Sequence, residues 1–410
     1  MKKHIFFSVQ DKQDKYVCTQ CFSDYAIKEF IGENAVDKKC SYCSNESNEP
    51  IAAPLEEVVE FIREGIETEW DNPVNCVGWE SAEGGWMGAR VIDSYNLIYE
   101  ELEELQDTNE DLLNDIIYSL DQEWCQRDPY GLPDEEALFL SWTGFADQVK
   151  HHTRYIFLRL KEEKEFPYDS DIIPVSKMLD RLSDEFSKLE EENLLTMLRV
   201  DSKIFRTRIH DNSVHLSRAT EIGTVPLEYA KYSNRMSPAG ISMFYGAFDP
   251  QTAMEETVGD SDIGVGKIAS IGTFNVIKQM EVLDLTKLHE IPSIFDTNRG
   301  YLRSSLIFLR NFREEISKPI NKDEVEHIEY VPTQVFTEYI RHLYRDQSGN
   351  ALDGILYPSS KHRGGVCCVL FIENSHCCDQ YQPQINVPGD DTASYLEPYL
   401  FLEGVERRQI

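Results

Sequence analysis

Two pairs of closely spaced cysteines near the start constrain the fold of this chain more than any other feature. Cys18 and Cys21 form one C-x-x-C pair, Cys40 and Cys43 form the other, and 18 residues separate the pairs. This spacing is typical of a four-thiolate zinc site, in which each pair directs two sulfur atoms at one ion. Because so short a segment buries little apolar surface, the metal would supply much of its folding free energy. We therefore predict a structural zinc knuckle within residues 1–53.

Disulfide bonds are the competing interpretation of these cysteines, and the cellular compartment decides between the two. The chain starts with Met-Lys-Lys-His and has few apolar residues before Asp11, which is not the pattern of a secretory signal. No apolar run in the sequence approaches the length needed to span a membrane. We therefore expect a cytoplasmic protein without a membrane partner, in which thiols stay reduced and can bind zinc.

Charge is distributed unevenly along the 410 residues, whose formal net charge is −33. Residues 51–200 hold 12 Lys and Arg against 36 Asp and Glu, which gives this stretch a net charge of −24. Because binding to a phosphate backbone needs clustered Lys and Arg, this surface argues against nucleic acid as a partner. A solvated helical exterior explains the acidity. A basic partner, or mimicry of a phosphate backbone, is the alternative.

The acidic stretch shows helical periodicity, with apolar residues at three- and four-residue steps. The pattern covers residues 55–66, 93–105, 109–124, 134–160 and 174–189. We therefore predict an all-α domain over residues 54–200. His151 and His152 lie on one predicted helix, but the Arg and His residues there do not have the order and spacing with which HEPN-class domains cleave RNA. Exposed side chains are the better interpretation of these histidines.

Residues 234–256 combine a loop, a strand and a helix in close succession. The apolar run Ile241–Phe248 is too short for a helix and is rich in strand formers. Asp249 is a natural N-cap and Pro250 suits the first helical position, so a helix is predicted over residues 251–257. The stretch therefore places different polar side chains on three adjacent elements.

The same stretch resembles the signature of the RES-domain family. Its pattern reads N-R-x-x-P-x-G, then F-Y-G-A, then A-x-E-E, and the residues that carry the resemblance are Arg235, Tyr245 and Glu256. The best-known members of that family are toxins of bacterial toxin–antitoxin pairs that consume NAD. The family's serine follows a proline at the end of a strand, and Tyr357-Pro358-Ser359-Ser360 fits this pattern. Ser359 is the first choice for that serine.

The resemblance implies a site that cleaves the bond between nicotinamide and ribose. The Glu256 carboxylate would stabilise positive charge on the ribose and bind its hydroxyls. Arg235 would bind the pyrophosphate with its forked guanidinium, and Tyr245 would stack on the nicotinamide. Ser359 would hydrogen-bond the nicotinamide or the ribose. Since the sequence contains no glycine-rich phosphate loop, side chains would hold NAD.

The family also begins with an aromatic-Arg strand, which residues 205–209 resemble. Either Arg206 or Arg208 is therefore expected to reach NAD, and the strand register is expected to decide which one. Further strands are predicted at residues 266–276, 279–284, 354–358 and 366–372, and helices at 298–313 and 331–344. This order suits an α+β domain over residues 201–410 with a split, mostly antiparallel sheet. RES domains are similar in fold to the ADP-ribosyltransferases, and some carry a helical N-terminal domain that begins with paired cysteines.

The predicted protein is thus a RES-type NAD glycohydrolase that depletes NAD, and the resemblance implies a role in bacterial defence. One alternative is an ADP-ribosyltransferase, in which a macromolecule replaces water as the acceptor. The other is a non-catalytic binding module built on a degenerate RES domain, against which the four retained residues argue. A toxin of this kind is expected to be restrained by its own helical domain or by an antitoxin.

Overall fold

The computed structural model describes residues 14–82, 84–160, 171–258, 266–318, 326–380 and 397–410. The chain forms two compact units. Unit 1 comprises residues 1–133 and 291–304, and unit 2 comprises residues 134–290 and 305–410. These limits differ from the predicted ones at residues 53 and 200, and the three-part layout stays a prediction.

The elements of the described residues are numbered in chain order. The helices are α1 (Tyr25–Glu33), α2 (Leu55–Ile66), α3 (Pro73–Cys76), α4 (Ser94–Asn96), α5 (Glu110–Leu120), α6 (Asp134–Asp147), α7 (Met178–Lys188), α8 (Ala219–Ile222), α9 (Pro250–Val258), α10 (Arg303–Ser317), α11 (Glu326–Glu329) and α12 (Val331–His342). The strands are β1 (Tyr16–Cys18), β2 (Ala52–Pro54), β3 (Trp70–Asp71), β4 (Trp79–Glu80), β5 (Gly85–Trp86), β6 (Ile92–Asp93), β7 (Glu123–Gln126), β8 (Leu195–Leu198), β9 (Lys203–Asp211), β10 (Phe244–Ala247), β11 (Lys267–Val276), β12 (Met280–Asp284), β13 (Gly354–Pro358), β14 (Val366–Leu370), β15 (Cys377–Cys378) and β16 (Leu400–Gln409).

Unit 1 is mixed rather than all-helical. The predicted helix at residues 55–66 is confirmed as α2, whose apolar positions are buried. The predicted helix at 109–124 ends at Leu120, because Trp124 and Cys125 are buried in β7, which pairs with β3 and β6. Apolar spacing alone could not show that these residues would find strand partners. The prediction of an all-α domain is therefore wrong here.

Phe295 packs directly against α2 within unit 1. Its ring lies over Gly65, where an added Cβ would overlap the ring and would stand 3.2 Å from the Phe295 Cα. Phe295 is fully buried in the apolar cluster that also contains Val58 and Ile62 of α2. The absence of a side chain at Gly65 thus allows this close contact.

The helices of unit 2 pack through an aromatic cluster. Phe312 of α10 lies edge-on to Trp142 of α6 at 4.8 Å and to Phe336 of α12 at 5.1 Å between ring centroids. Phe186 of α7 completes the cluster, 6.4 Å from Phe312. All four rings are almost fully buried, so α6, α7, α10 and α12 share one apolar core.

Within the described residues, unit 2 also contains a nine-stranded sheet of order β15-β16-β11-β9-β10-β14-β13-β12-β8. Neighbouring strands are antiparallel except for the pairs β12–β13 and β15–β16. The mostly antiparallel sheet is therefore confirmed. Strands β9 and β10 pair at one position, Phe205 with Ala247, so the sheet is weakly joined there. The edge strand β8 pairs with β12. Because β8 lies within residues 54–200, the prediction that this region is all-helical is wrong here as well.

The two faces of the sheet carry different residues near β10. Residues that pair directly share a face, and residues two apart along a strand also share it. Ala247 pairs with Cys367, and Cys367 pairs with Tyr357. Tyr245 therefore lies on the same face as Cys367 and Tyr357. The opposite face carries Phe244 and belongs to a buried apolar cluster.

None of the helices in the described ranges combines the length and the apolar character that crossing a bilayer requires.

Candidate functional site

The centre of the candidate site is a pair formed by Glu256 and Ser359. Helix α9 carries Glu256 and begins where predicted, with Asp249 capping it through a 2.8 Å bond from the Thr252 N–H. Ser359 follows the end of β13 and donates its hydroxyl proton to Glu256 Oε1. The backbone N–H of Ser360 donates to the same oxygen at 3.0 Å. Two donors therefore hold one oxygen of the carboxylate, and neither of them engages Oε2.

The turn after Ser359 fixes the direction of its hydroxyl. Ser359 Oγ accepts the backbone N–H of His362 at 2.9 Å and that of Lys361 at 3.2 Å. Since a hydroxyl has one donor and two acceptor positions, these bonds direct the Ser359 proton to Glu256. The Ser359 N–H donates to Gly365 O at 2.9 Å and closes the turn. The arrangement brings Ser359, the first choice from the sequence, to Glu256 and leaves Ser360 to contribute its backbone.

A second set of bonds attaches this turn to the start of α9. Thr252 Oγ1 donates to Asp249 Oδ2 at 2.5 Å, so the 2.6 Å contact with His362 Nδ1 requires the histidine to donate. Burial raises the pKa of Asp249, but the bonds from Thr252 and the nearby His362 outweigh it and leave the pKa below its usual value. Gly365 passes so close to Thr252 that an added Cβ would overlap its side chain. These contacts hold the Ser359 turn against the helix of Glu256.

Tyr245 lies deep in the site, with its hydroxyl bonded to a serine that the sequence analysis did not assign. The distance between Tyr245 OH and Ser237 Oγ is 2.9 Å, and Ser237 is almost completely buried. Burial raises the pKa of Tyr245 to about 12, although bonds from Ser237 and the Met236 backbone oppose the shift. The phenol is therefore neutral near pH 7 and can act as a hydrogen-bond donor.

Arg235 lies at the tip of the loop that leads to Ser237. Its Nη1 donates to Ile316 O at 2.9 Å, and its guanidinium carbon stands 5.6 Å from the centre of the Tyr330 ring. The backbone of Asn234 and Ser237 pairs across the tip. The described contacts of the Arg235 guanidinium are thus with α10 and Tyr330, and none of them joins it directly to Glu256 or Ser359.

Two further residues of the site, Tyr357 and Cys367, were not assigned from the sequence. Burial raises the pKa of Tyr357 well above its usual value, and the neighbouring Cys367, Tyr245 and Glu256 add to the shift. Burial also raises the pKa of the Cys367 thiol, with a further contribution from the Glu256 charge. Tyr357 therefore lies near both Tyr245 and Glu256. Tyr357 and Cys367 share a face because they pair across β13 and β14, and alternation within each predicted strand could not have shown this register.

Arg206 and Arg208 lie together on the face opposite the Tyr245 ring. Phe205 pairs with Ala247, so the intervening Arg206 points to the other side, and Arg208, two residues on, follows it. The expectation that strand register would select only one of them is wrong for this reason. Whether either arginine contacts a nucleotide stays a prediction.

Backbone carbonyls are the described hydrogen-bond acceptors of these two guanidinium groups. Arg206 Nη1 donates to Tyr245 O, while its buried Nε has no partner among the described residues. Arg208 donates to Ile222 O at 3.3 Å and to Gly223 O at 2.8 Å. Burial lowers the pKa of Arg208 to about 10 and lowers that of Arg206 well below its usual value, with the charge of Arg208 adding to the shift in Arg206.

A separate cluster in unit 1 contains the four cysteines predicted as metal ligands. The sulfur atoms of Cys18, Cys21, Cys40 and Cys43 all lie within 4.8 Å of one another. Cys18 Sγ is 3.5 Å from Cys43 Sγ and 4.0 Å from Cys21 Sγ, and Cys21 Sγ is 3.5 Å from Cys40 Sγ. These separations are far too long for disulfide bonds, which are about 2.05 Å. The cluster matches a four-ligand metal site in both donor type and spacing.

The fold and the site together define an α+β protein with a carboxylate-centred site in one unit and a four-cysteine cluster in the other. Comparison with protein-family models identifies the family. The RES domain model matches residues 207–393, and the model described as HEPN/RES N-terminal domain 1 matches residues 33–163. The chain therefore contains a RES domain and an N-terminal domain of the HEPN/RES type, and the RES domain suggests a toxin-like protein with NAD-related enzymatic activity. No curated protein and no solved structure matches the chain.

Proposed function

We propose that this protein is a NAD glycohydrolase, which cleaves the bond between nicotinamide and ribose and transfers the ribosyl carbon to water. The observation that carries the proposal is the Glu256 carboxylate, held by the Ser359 hydroxyl and the Ser360 N–H within a RES domain. Positive charge develops on the ribose as nicotinamide leaves. A fixed carboxylate next to that ring would stabilise the charge.

The hydrogen bonds of Glu256 support this role. Because both donors use Oε1, the carboxylate is oriented before substrate arrives, and little reorganisation is needed during the reaction. Oε2 is then the oxygen assigned to the ribose hydroxyls. Ser359 acts mainly by orienting Glu256, since its proton is already directed there. This role differs from the direct contact with nicotinamide or ribose expected from the sequence.

The remaining residues would bind the two ends of the substrate. The neutral phenol of Tyr245 would contact the nicotinamide, and the Arg235 guanidinium would bind the pyrophosphate. Arg235 has donors beyond the one used on Ile316 O, and a guanidinium carries five N–H groups in total. Arg206 and Arg208 remain proposed nucleotide contacts, but they lie on the face opposite Tyr245 and bond to backbone carbonyls.

The experiment is NAD consumption by the purified full-length chain, with nicotinamide and ADP-ribose both quantified. Wild type is compared with Glu256→Gln, which keeps the side-chain size and removes the charge. Free ADP-ribose from wild type and its loss in the variant would support hydrolysis at this site. The full chain is required because residues 291–304 belong to unit 1 and β8 lies before residue 201, so a fragment starting there would be incomplete.

The two alternatives give different products in the same assay. An ADP-ribosyltransferase would release nicotinamide without an equal amount of free ADP-ribose, because an acceptor would hold the ribosyl group. A non-catalytic module would bind NAD or a partner without releasing nicotinamide.

We also propose that the four cysteines bind a structural zinc ion. Four sulfurs at about 2.3 Å from one zinc ion are separated from each other by about 3.8 Å, which agrees with the observed contacts. The closed set of four protein ligands leaves no position for substrate, which is typical of a structural rather than catalytic zinc. Elemental analysis of the purified chain, with Cys40→Ser as the variant, tests this assignment.

We also propose that NAD cleavage is inhibited in one of two ways until the protein is needed. The toxin-like family supports inhibition either by the chain's own N-terminal region or by a separate antitoxin. Expression of wild type alone, compared with Glu256→Gln, separates them. Arrest of growth and a fall in cellular NAD with wild type alone would favour a separate antitoxin over restraint within the chain.

A further inference from the structure

The loop that carries Arg235 and Ser237 is hydrogen-bonded to the buried side chain of Gln334, in the first turn of α12. Gln334 is 6% exposed and donates from Nε2 to Ser233 Oγ and to Asn234 O, each at 2.7 Å. The same nitrogen lies 3.4 Å from Ser237 O. A primary amide has two hydrogens, so both are used on this loop.

Other residues of α12 contact the same loop. Thr333 Oγ1 donates to Arg235 O at 2.7 Å, and Thr337 Oγ1 contacts Met236 Sδ at 3.1 Å. Met236 is fully buried, so its side chain fixes the base of the loop in the core. Gln334, by contrast, bonds to the polar backbone on both sides of Arg235, at Asn234 and Ser237.

The loop in turn controls two groups of the proposed site. The N–H of Asn234 donates to Ser237 O at 2.8 Å, which closes the turn with Arg235 at its tip. Ser237 Oγ then bonds to Tyr245 OH. A shift of this loop would therefore move the Arg235 guanidinium and the bonding partner of the Tyr245 phenol at the same time.

We propose that Gln334 is a positioning residue for NAD cleavage, which sets the Arg235 loop and, through Ser237, the Tyr245 hydroxyl. The inference rests on the proposed function and identifies a residue that acts on it without touching the substrate. Among the described residues, no other side chain is seen to donate to both Asn234 O and Ser237 O, at the two ends of this turn. Replacing the amide with an apolar group would remove the 2.7 Å bond to Asn234 O and the longer contact with Ser237 O, and would leave these two carbonyls to the turn's own backbone pair.

The test is a double-mutant cycle on kcat/KM for nicotinamide release by the full-length chain. Gln334→Met keeps an unbranched side chain of similar length and removes the donor, while Ser237→Ala removes the link to Tyr245. Since small misplacements of reacting groups cost up to about 100-fold in rate, each single variant is expected to lose about 10- to 100-fold. If Gln334 acts through Ser237, the double variant is expected to be no slower than the slower single variant.

Gln347→Met is the matched control. Gln347 also donates its amide to a backbone carbonyl, that of Ser187 at 2.9 Å, but it lies on the surface away from the Arg235 loop. Its kcat/KM is expected to stay within about twofold of wild type. Gln334→Asn, which keeps the amide on a shorter side chain, replaces Gln334→Met in the cycle if the methionine variant does not fold.

The outcomes separate the inference from the function on which it rests. Absence of nicotinamide release by wild type would overturn the proposed function and with it the role of Gln334. Turnover by wild type with an unaffected Gln334 variant would overturn the inference alone. Independent, multiplicative losses in the double variant would also overturn it, because a residue that merely stabilises the fold would behave in that way.

Discussion

Replacing Ser359 with alanine tests the central contact of the site without removing its carboxylate. Ser359→Ala deletes the hydroxyl that donates to Glu256 Oε1 and leaves the Ser360 N–H as the other donor to that oxygen. It also removes the acceptor for the backbone N–H groups of His362 and Lys361. The carboxylate keeps its charge but loses part of the framework that orients it.

The size of the effect follows from the kind of bond that is lost. A hydrogen bond to a charged acceptor contributes about 1.5–3 kcal/mol. With about 1.4 kcal/mol for each tenfold change in rate, kcat/KM for NAD should fall by about 10- to 150-fold. The bond to Glu256 and the neutral bond from the His362 N–H are both made in the folded protein, so the free energy of unfolding should also fall, by about 2–4 kcal/mol.

The assay is nicotinamide release at several NAD concentrations, and Ser360→Ala is the matched control. Ser360 contributes its backbone N–H to Glu256, and alanine keeps that group. The control should therefore stay within about twofold of wild type. Equal losses in the two variants, or full activity in Ser359→Ala, would refute the argument that the Ser359 hydroxyl orients the carboxylate.

Three further predictions concern stability. Gly65→Ala should lower the melting temperature even though alanine is the better helix former. Overlap of the new Cβ with the Phe295 ring costs about 1–3 kcal/mol, whereas the higher helix propensity of alanine stabilises by only about 1 kcal/mol. The matched control, Gly32→Ala, should raise the melting temperature, because nothing lies within 4 Å of the added Cβ. Removal of zinc by a chelator, or Cys40→Ser, should lower the unfolding temperature of unit 1 in calorimetry, because metal binding is coupled to folding. Between pH 10 and about 12, Tyr245 releases its proton in the unfolded chain but keeps it in the folded protein, so the free energy of unfolding falls as pH rises. In alkaline denaturation, Tyr245→Phe should reduce that fall by about 2–3 kcal/mol.

Each of these three predictions has an outcome that would contradict it. A rise in melting temperature for Gly65→Ala would contradict the close packing of Phe295. Unchanged calorimetry after loss of the metal would argue against a structural role for the cysteine cluster. An unaltered alkaline transition in Tyr245→Phe would show that other tyrosines determine it.

Elements with local start and stop signals were predicted well. The strand predicted at residues 354–358 coincides with β13, and the helix predicted at 251–257 matches α9 within one residue at each end. Asp249 and Pro250 define the start of α9 through capping, and neither signal depends on distant parts of the chain. Such signals need no knowledge of the tertiary structure.

Elements that depend on distant partners were predicted poorly. The helix predicted at 134–160 ends at Asp147 and continues only as the π-helical turn Gln148–His152. The edge strand β8 exists because β12, more than 80 residues later, offers it a pairing edge. Apolar periodicity reports which side of a segment is buried, but not which segment covers it.

The same distinction explains what could be known of the site. That Arg206 and Arg208 share a face follows from the two-residue repeat of any strand, and it could have been stated from the sequence. Which face they share depends on the pairing of Phe205 with Ala247, which no local pattern specifies. Likewise, Glu256 and Ser359 stand 103 positions apart, and only the packing of α9 against the sheet brings them together. The chemical types of the site residues were thus readable from the chain, while their hydrogen-bond partners, Ser237 and Gln334 among them, required the fold.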